Sequence, residues 1–309
     1  MGNKKENDSN LLVEKMVRND DIFCGLLYDE QNSTLRVVDF RGGNFQQKQD
    51  YLRRIQLAEG FRKIYTLIER DDMQGWQRVG YMKEASIPGY YRRSDAYLMG
   101  WIADENWIPE DLEDDDSDER RDYIAKVKDM ATLFESYKSA GLKTENITPE
   151  EIPTLLINEI KRQSAKTKGP LKAKQSDFPI PTEDTPMFMQ FSRDVEYYYF
   201  SAANKRTEQI NILIAEYQDC FGNAKIDIYF DKVKTKTEIA MVRLALDEFV
   251  KWLGEIGAVA IFAMVDVDNI ELNAVYASCG FKNSGWLHQQ AVKDGKVKDQ
   301  ILWTFKHFV

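Results

Sequence analysis

The sequence predicts an α+β fold of mixed, mostly antiparallel sheets flanked by helices. Three observations lead there. A strand–helix–strand order appears twice, at a separation on the order of 200 residues. The closing strand of each copy sets bulky residues on alternate positions, Tyr97, Met99 and Trp101 in one and Ile301, Trp303 and Phe305 in the other, which is the period of a strand. Between the strands of the second copy, Ile239, Val242, Leu246, Phe249 and Val250 fall on one helical stripe.

The elements follow in order. Residues 1–18 are polar and read as a tail or a short helix. Ile22–Tyr28 reads as a strand, Gln31-Asn32-Ser33 as a turn, and Thr34–Phe40 as the return strand. Arg41-Gly42-Gly43-Asn44 is a loop before a helix over Phe45–Gly60, where Gly60 is the stop. Arg62–Glu69 is a strand, Met73–Val79 a short helix, Met82–Tyr91 extended with a bend at Pro88-Gly89, and Asp95–Ile102 a strand.

Residues 103–186 differ in kind. Glu110–Glu119 is almost wholly acidic and reads as a solvated loop. Arg121–Ala140 and Pro149–Ser164 read as amphipathic helices. Lys161–Lys174 is basic, and Ser176–Pro186 is a proline-bearing linker. The second copy then runs through strands at Val195–Ala203, Gln209–Tyr217 and Lys225–Phe230, and a helix at Thr237–Leu253. A buried strand at Ala258–Val265, a short helix at Leu272–Cys279, and a hairpin closing at Gly295 complete it. The implied organisation is a unit at 1–102, a charged helical insert and linker at 103–186, and a second unit at 187–309.

Composition narrows the function. The chain of 309 residues has a net charge of −9, and a general nucleic-acid binder needs the opposite sign. Cys24, Cys220 and Cys279 are too few and too far apart for a disulfide framework or a Cys-x-x-Cys metal site, and His288 and His307 are the only histidines. No metal is expected. No apolar run approaches a membrane span, and the first residues lack the core of a signal peptide, so no membrane association and a cytoplasmic location are the expectation.

The copies agree in residues as well as in order. Trp76 is followed by Gly80 and Tyr81, and Tyr276 by Gly280 and Phe281 at the same spacing. The segment VDVDNIELNAVYASCGFKNSG (265–285), with Asn269, Tyr276, Gly280 and Phe281, resembles the late signature of GNAT acetyltransferases. That resemblance covers roughly residues 195–309 and implies two GNAT-like units. DFRGGN (39–44) and SIPGYYRRSDAYLM (86–99) look like segments of beta-lysine N-acetyltransferases. The resemblance implies acetyl-CoA as donor and a small amine as acceptor. It also implies that Tyr276 is the general acid towards the leaving thiolate and that Asn269 touches the CoA arm. On their residue types alone, Tyr276 also reads as an aromatic packed on the sheet and Asn269 as a turn or cap residue.

The pattern departs from the family at the pyrophosphate loop. FDKVKTKTEIAMV (230–242) has no glycine, and Thr235-x-x-Glu238 reads as a capping box that fills the helix end. Lys232, Lys234 and Lys236 could offset this in part as point charges. Arg41, Gly42 and Gly43 offer an anion site at the other helix, or a tight turn with Asn44 as N-cap. Tyr90 and Arg92, with Tyr91 and Arg93, either line an acceptor cleft or pack a hairpin tip. Two functions are thus open. One is a small-amine N-acetyltransferase. The other is a non-catalytic GNAT-like binding or assembly module, working as a homo-oligomer or through a protein partner at residues 103–186.

Overall fold

The computed structural model describes residues 12–103, 118–139, 141–155, 158, 195–204, 206, 209–229, 233–293 and 295–307. The basic run, the proline linker, Lys232 and most of the acidic stretch lie outside these.

The strands of the first half are β1 (Leu12–Arg18), β2 (Phe23–Asp29), β3 (Thr34–Asp39), β4 (Lys63–Ile68), β5 (Met82–Ile87) and β6 (Ala96–Ile102). Its helices are α1 (Phe45–Glu59) and α2 (Met73–Arg78). Next come α3 (Asp118–Glu135) and β7 (Leu142–Ile147). The second half has β8 (Glu196–Asn204), β9 (Gln209–Gln218), β10 (Asn223–Ile228), α4 (Lys236–Glu255), β11 (Ala260–Asp266), α5 (Ile270–Ser278), β12 (Lys282–Lys293) and β13 (Lys296–Lys306).

All the described strands form one sheet of order β1-β2-β3-β4-β6-β5-β12-β13-β11-β10-β9-β8-β7. The order mirrors itself about the β5–β12 junction. On each side an antiparallel pair leads into a parallel pair, crossed by a helix, and then an antiparallel hairpin. Register repeats with it: Ile64 opposes Trp101 as Ile261 opposes Phe305, and Ile68 opposes Tyr97 as Val265 opposes Ile301.

Three sequence expectations are corrected. Residues 12–18 form a strand, not a tail or helix, because Val13 and Val17 pack on the first core while their backbone pairs with β2. The acidic loop ends early, since Asp118 and Glu119 open α3, where their charge suits the helix N-terminus. The stretch 142–147 is a strand that pairs with β8, so the insert contributes to the sheet.

Helices cover one face of the sheet. Trp76, Tyr81, Leu26, Leu35 and Leu52 fill the core under α1 and α2. Phe249, Leu246, Val242, Tyr276 and Phe281 fill the core under α3, α4 and α5. The triple tyrosine splits as a strand demands: Tyr197 and Tyr199 face one cluster and Tyr198 the other. On the opposite face a single apolar cluster runs across the junction, joining Tyr65, Leu67 and Tyr90 to Ala260, Phe262 and Leu302.

The junction itself is narrow in backbone terms, with Gly285 paired to Ala85. A Cβ at Gly285 would lie 2.3 Å from the Glu84 carbonyl oxygen, so close approach requires glycine there. Beside it, Lys63 Nζ lies 2.6 Å from Glu84 Oε2 with both side chains sealed from solvent. Lys63 also donates to the His288 carbonyl at 2.7 Å, linking the halves.

Each hairpin reaches across to the other half. Arg92, between β5 and β6, donates to the Asp219 carbonyl at 2.6 Å, and Asn223 donates to the Tyr90 carbonyl at 3.1 Å. In return, Val292 N–H donates to Asn32 Oδ1 at 2.8 Å, and Arg62 donates to the Gln289 carbonyl at 2.5 Å. Such reciprocal contacts are the pattern of a two-fold interface, here within one chain.

Candidate functional site

Both parallel pairs part along their length. β10 and β11 are in register from Asn223–Ala260 to Lys225–Phe262, although β10 runs on to Ile228 and β11 to Asp266. β3 and β4 are in register from Thr34–Lys63 to Val37–Thr66 before they separate. A parting of parallel strands leaves edge N–H and C=O groups that a ligand can use, and places a helix beside each gap.

Tyr276 stands beside the second gap, on α5. It is fully buried, and its ring meets Phe281 edge-on at 5.1 Å between centroids. Burial pushes its phenol well above the ordinary value, and nearby Asp227 of β10 and Cys279 push the same way. A phenol of ordinary pKa already holds its proton more tightly than a thiol by roughly 1.5 units. The upward shift widens that difference and weakens full proton transfer to a thiolate.

Asn269 is the N-cap of α5 and accepts from Leu272 N–H at 3.3 Å. The N-terminus of α4 is filled from within. Thr235 Oγ1 accepts from Glu238 N–H at 3.2 Å, and Glu238 Oε2 accepts from the N–H groups of Thr235 at 2.9 Å and Lys234 at 3.0 Å. Gln209 adds a bond to Glu238 Oε1 at 2.8 Å. Desolvation pushes this carboxyl up, but these hydrogen bonds bring it below its usual value, so it holds its charge at the helix N-terminus. Lys234 and Lys236 are exposed, and Lys236 lies 5.4 Å over the Tyr137 ring. Lys232 lies outside the described residues.

At α1 the loop is organised differently. Asn44 occupies the N-cap position in a left-handed conformation, φ 50°, without a side-chain cap bond, and its amide reaches the Asp21 carbonyl at 3.1 Å. Arg41 donates to the Asp20 carbonyl at 2.6 Å. Lys48 pairs with Asp39 at 2.6 Å and also bonds the Arg41 carbonyl. Gly42 faces the Asp72 carboxylate, and Gly43 has φ 82°. Two carboxylates therefore stand near this helix end.

The first gap opens on a cavity of about 580 Å³, within the range of small-molecule sites. Its walls include Phe23, Phe40, Tyr90, Tyr91 and Phe221, with Glu14, Met16 and Arg36. Met16, Phe40 and Phe221 are exposed large apolar side chains, and all three face this one cavity. Of the hairpin residues singled out in the sequence, Tyr90 reaches the cavity wall, and Arg36 Nη2 donates to its hydroxyl at 3.5 Å. Arg92 turns instead to Asp219. Sequence reasoning misses Glu14 and Met16 because residues 1–18 read as a tail or short helix, and misses Phe23 and Phe40 because nothing in their strands announces a shared cavity. The alternation of Val13 and Val17 with Glu14 and Met16 was the available signal.

No family model matches the chain, and no curated protein matches it. Solved acetyltransferase structures do resemble it. A variant of the spermidine N-acetyltransferase SpeG from Vibrio cholerae is similar at 12% identity, over 54% of this chain and 95% of its own, with a TM-score of 0.40. SpeG in complex with CoA and spermine is similar at 12% identity, over 54% and 96%, with a TM-score of 0.38. A protein of Acinetobacter baylyi ADP1, described provisionally as an acetyltransferase, is similar at 15% identity, over 54% and 92%, with a TM-score of 0.37. Likeness at this level assigns no substrate and no residue role.

Among the described residues no group of three or more His, Cys, Asp or Glu side chains could hold a metal ion. None of the described helices is long and apolar enough to cross a membrane.

Proposed function

We propose that the protein is an acyl-CoA-dependent N-acetyltransferase acting on a small amine, with acetyl-CoA as donor and the cytoplasm as its location. The observation that carries this reading is the parting of β10 from β11 beside Tyr276. A thioester arm laid in that gap would pair with the open strand edges. The neutral amine nitrogen then attacks the thioester carbonyl, the C–S bond breaks, the CoA thiolate leaves while accepting a hydrogen bond from the Tyr276 hydroxyl, and the proton lost by the amine passes to solvent. Holding the two reactants in line supplies much of the acceleration in such a transfer. Asn269 shapes the start of α5 beside the arm, and Lys234 and Lys236, with Lys232, supply positive charge near the phosphates. On this reading the units at 1–102 and 187–309 arose by duplication of one GNAT-like unit, with 103–186 inserted between them.

A second reading is favoured by one specific arrangement. Glu238 fills the N-terminus of α4, while the aromatic cavity lies in the other half, where Trp76 stands at the position of Tyr276. Neither half then holds donor site, phenol and cavity together. A non-catalytic protein that binds a small ligand in the first half would look like this, with the insert or a second copy as partner surface.

Calorimetric titration with acetyl-CoA and with CoA separates the two. The enzyme reading expects micromolar binding, weakened by Lys234→Glu, and turnover of an amine lowered by Tyr276→Phe with binding kept. Absence of both heat and thermal shift with either compound would sink it.

A further inference from the structure

We propose that the groove between α3 and the start of β12 is a binding site for a phosphate-bearing small molecule, separate from the gap beside Tyr276. The groove encloses about 590 Å³ at the junction of the two halves. Its ionisable walls are all cationic: Arg120, Arg121 and Lys128 line it, and no carboxylate does among the described residues. Ser86 of β5 and Asn283 of β12 add a hydroxyl and an amide. In a chain with a net charge of −9, three cations line this one groove. Guanidinium forks and an ammonium point charge are the side chains that match phosphate oxygens.

The groove is built rather than incidental. Arg121, Ile124, Ala125 and Lys128 lie on one helical face of α3, the face that lines it. α3 is anchored from behind: Tyr123 donates to the Val267 carbonyl at 2.6 Å, Asn273 donates to the Tyr123 hydroxyl at 3.0 Å, and Val127 and Phe134 are buried in the second core. The opposite wall is equally fixed. Trp286 Nε1–H donates to Asp299 Oδ2 at 2.9 Å, and the Arg120 guanidinium lies 5.2 Å over the Trp286 ring with one nitrogen 3.1 Å from His288 Nε2. Arg120 therefore enters the groove already oriented. Arg121 pairs with Asp118 at 3.4 Å, with both side chains largely exposed.

The probes are inorganic pyrophosphate and ADP, titrated calorimetrically into the full chain at low ionic strength and again at about 0.15 M salt, where screening shortens to about 8 Å. Saturable binding by either probe is expected, weaker at the higher salt. It should fall at least tenfold in the double variant Arg121→Glu/Lys128→Glu, whose positions are exposed. The control variant Lys251→Glu/Lys296→Glu makes the same change in net charge elsewhere and should keep binding. Tighter binding of ADP than of pyrophosphate would identify an organic phosphate; equal binding would identify the phosphate group alone. Arg121→Glu/Lys128→Glu should leave acetyl-CoA binding unchanged, so this site can stand or fall apart from acyl transfer. Failure of both probes to bind at low salt overturns the proposal, as does equal loss in the two double variants or no loss in either.

Discussion

The two halves share a scaffold and differ at the places where chemistry would be done. In the first half the parallel strands part onto an aromatic cavity, and the helix beside the gap carries Trp76. In the second half the corresponding helix carries Tyr276, and the long helix has its N-terminus closed by Thr235 and Glu238. The cores therefore follow one plan while the helix ends and strand edges differ. Packing constrains the core to particular volumes, whereas a strand end or a loop can change with little effect on folding. The comparison separates what holds the sheet together from what could bind a ligand.

The sharpest way to break the comparison is at the matched aromatics. Trp76 is fully buried and meets Tyr81 at 4.7 Å and 73°, while Tyr276 meets Phe281 at 5.1 Å and 84°. If both are wedges in equivalent cores, Trp76→Ala and Tyr276→Ala should each cost about 3–5 kcal/mol in denaturant unfolding, the range for a large aromatic removed from a core. Tyr276→Phe keeps the ring and should cost far less. A small effect of Tyr276→Ala with a large effect of Trp76→Ala would show that the second ring is held for reasons other than packing.

The aromatics were legible in the sequence because burial leaves a spaced signature: a bulky ring, then glycine and a second ring, once per half. The closing strands were legible for the same reason, and register confirms the alignment of Tyr97 with Ile301 and of Met99 with Trp303. The capping box at Thr235 and Glu238 was legible because it needs only four consecutive residues. What was not legible depends on distant partners. β1 and β7 are edge strands, half polar, whose pairing with β2 and β8 is invisible locally. The cavity in the first half needs residues from β1, β3, a hairpin and the turn of the other half, a juxtaposition no spacing announces. The loop at Arg41 reads either as an anion site or as a tight turn, and which groups Asp39, Lys48 and the Asp20 carbonyl engage there depends on chain neighbours that no local spacing shows.

A milder perturbation tests whether the hairpins are equivalent. Asp95 Oδ1 accepts from Gly89 N–H at 2.8 Å, and Asp299 Oδ1 accepts from Gln289 N–H at the same distance. Asp299 also faces His288 and receives Trp286. Desolvation pushes its carboxyl up, but the hydrogen bonds from His288, Gln289 and Trp286 outweigh it and hold the group at about 2 against an ordinary 3.8. A carboxyl depressed in the folded state stabilises it above the unfolded value, and that contribution is lost as pH falls through the folded one. Wild-type stability should therefore decline between about pH 4 and pH 2. Asp299→Asn should be less stable at neutral pH and flatter across that window in urea unfolding. An unchanged acid limb in the variant would mean that the group carries no linked proton.

The smallest expected effect distinguishes the two helix ends. At α4, Thr235 makes both bonds of the capping box, so Thr235→Ala should cost about 1 kcal/mol in denaturant unfolding, the usual value for a lost cap. At α1, Asn44 makes no such bond and sits at φ 50°, a conformation glycine adopts freely. Asn44→Gly should therefore leave stability unchanged within about 0.5 kcal/mol, because relief of the left-handed backbone offsets the loss of the bond to the Asp21 carbonyl. The pair also bears on binding. Thr235→Ala alone leaves Glu238 in place, so it should not open the α4 end to an anion, whereas Glu238→Gln removes the negative charge there. If CoA binds Glu238→Gln more tightly than the wild type, closure of that helix end is what divides the second half from a working donor site. If affinity does not change, the donor phosphates do not use that helix end, and the difference between the halves at this point is one of stability alone.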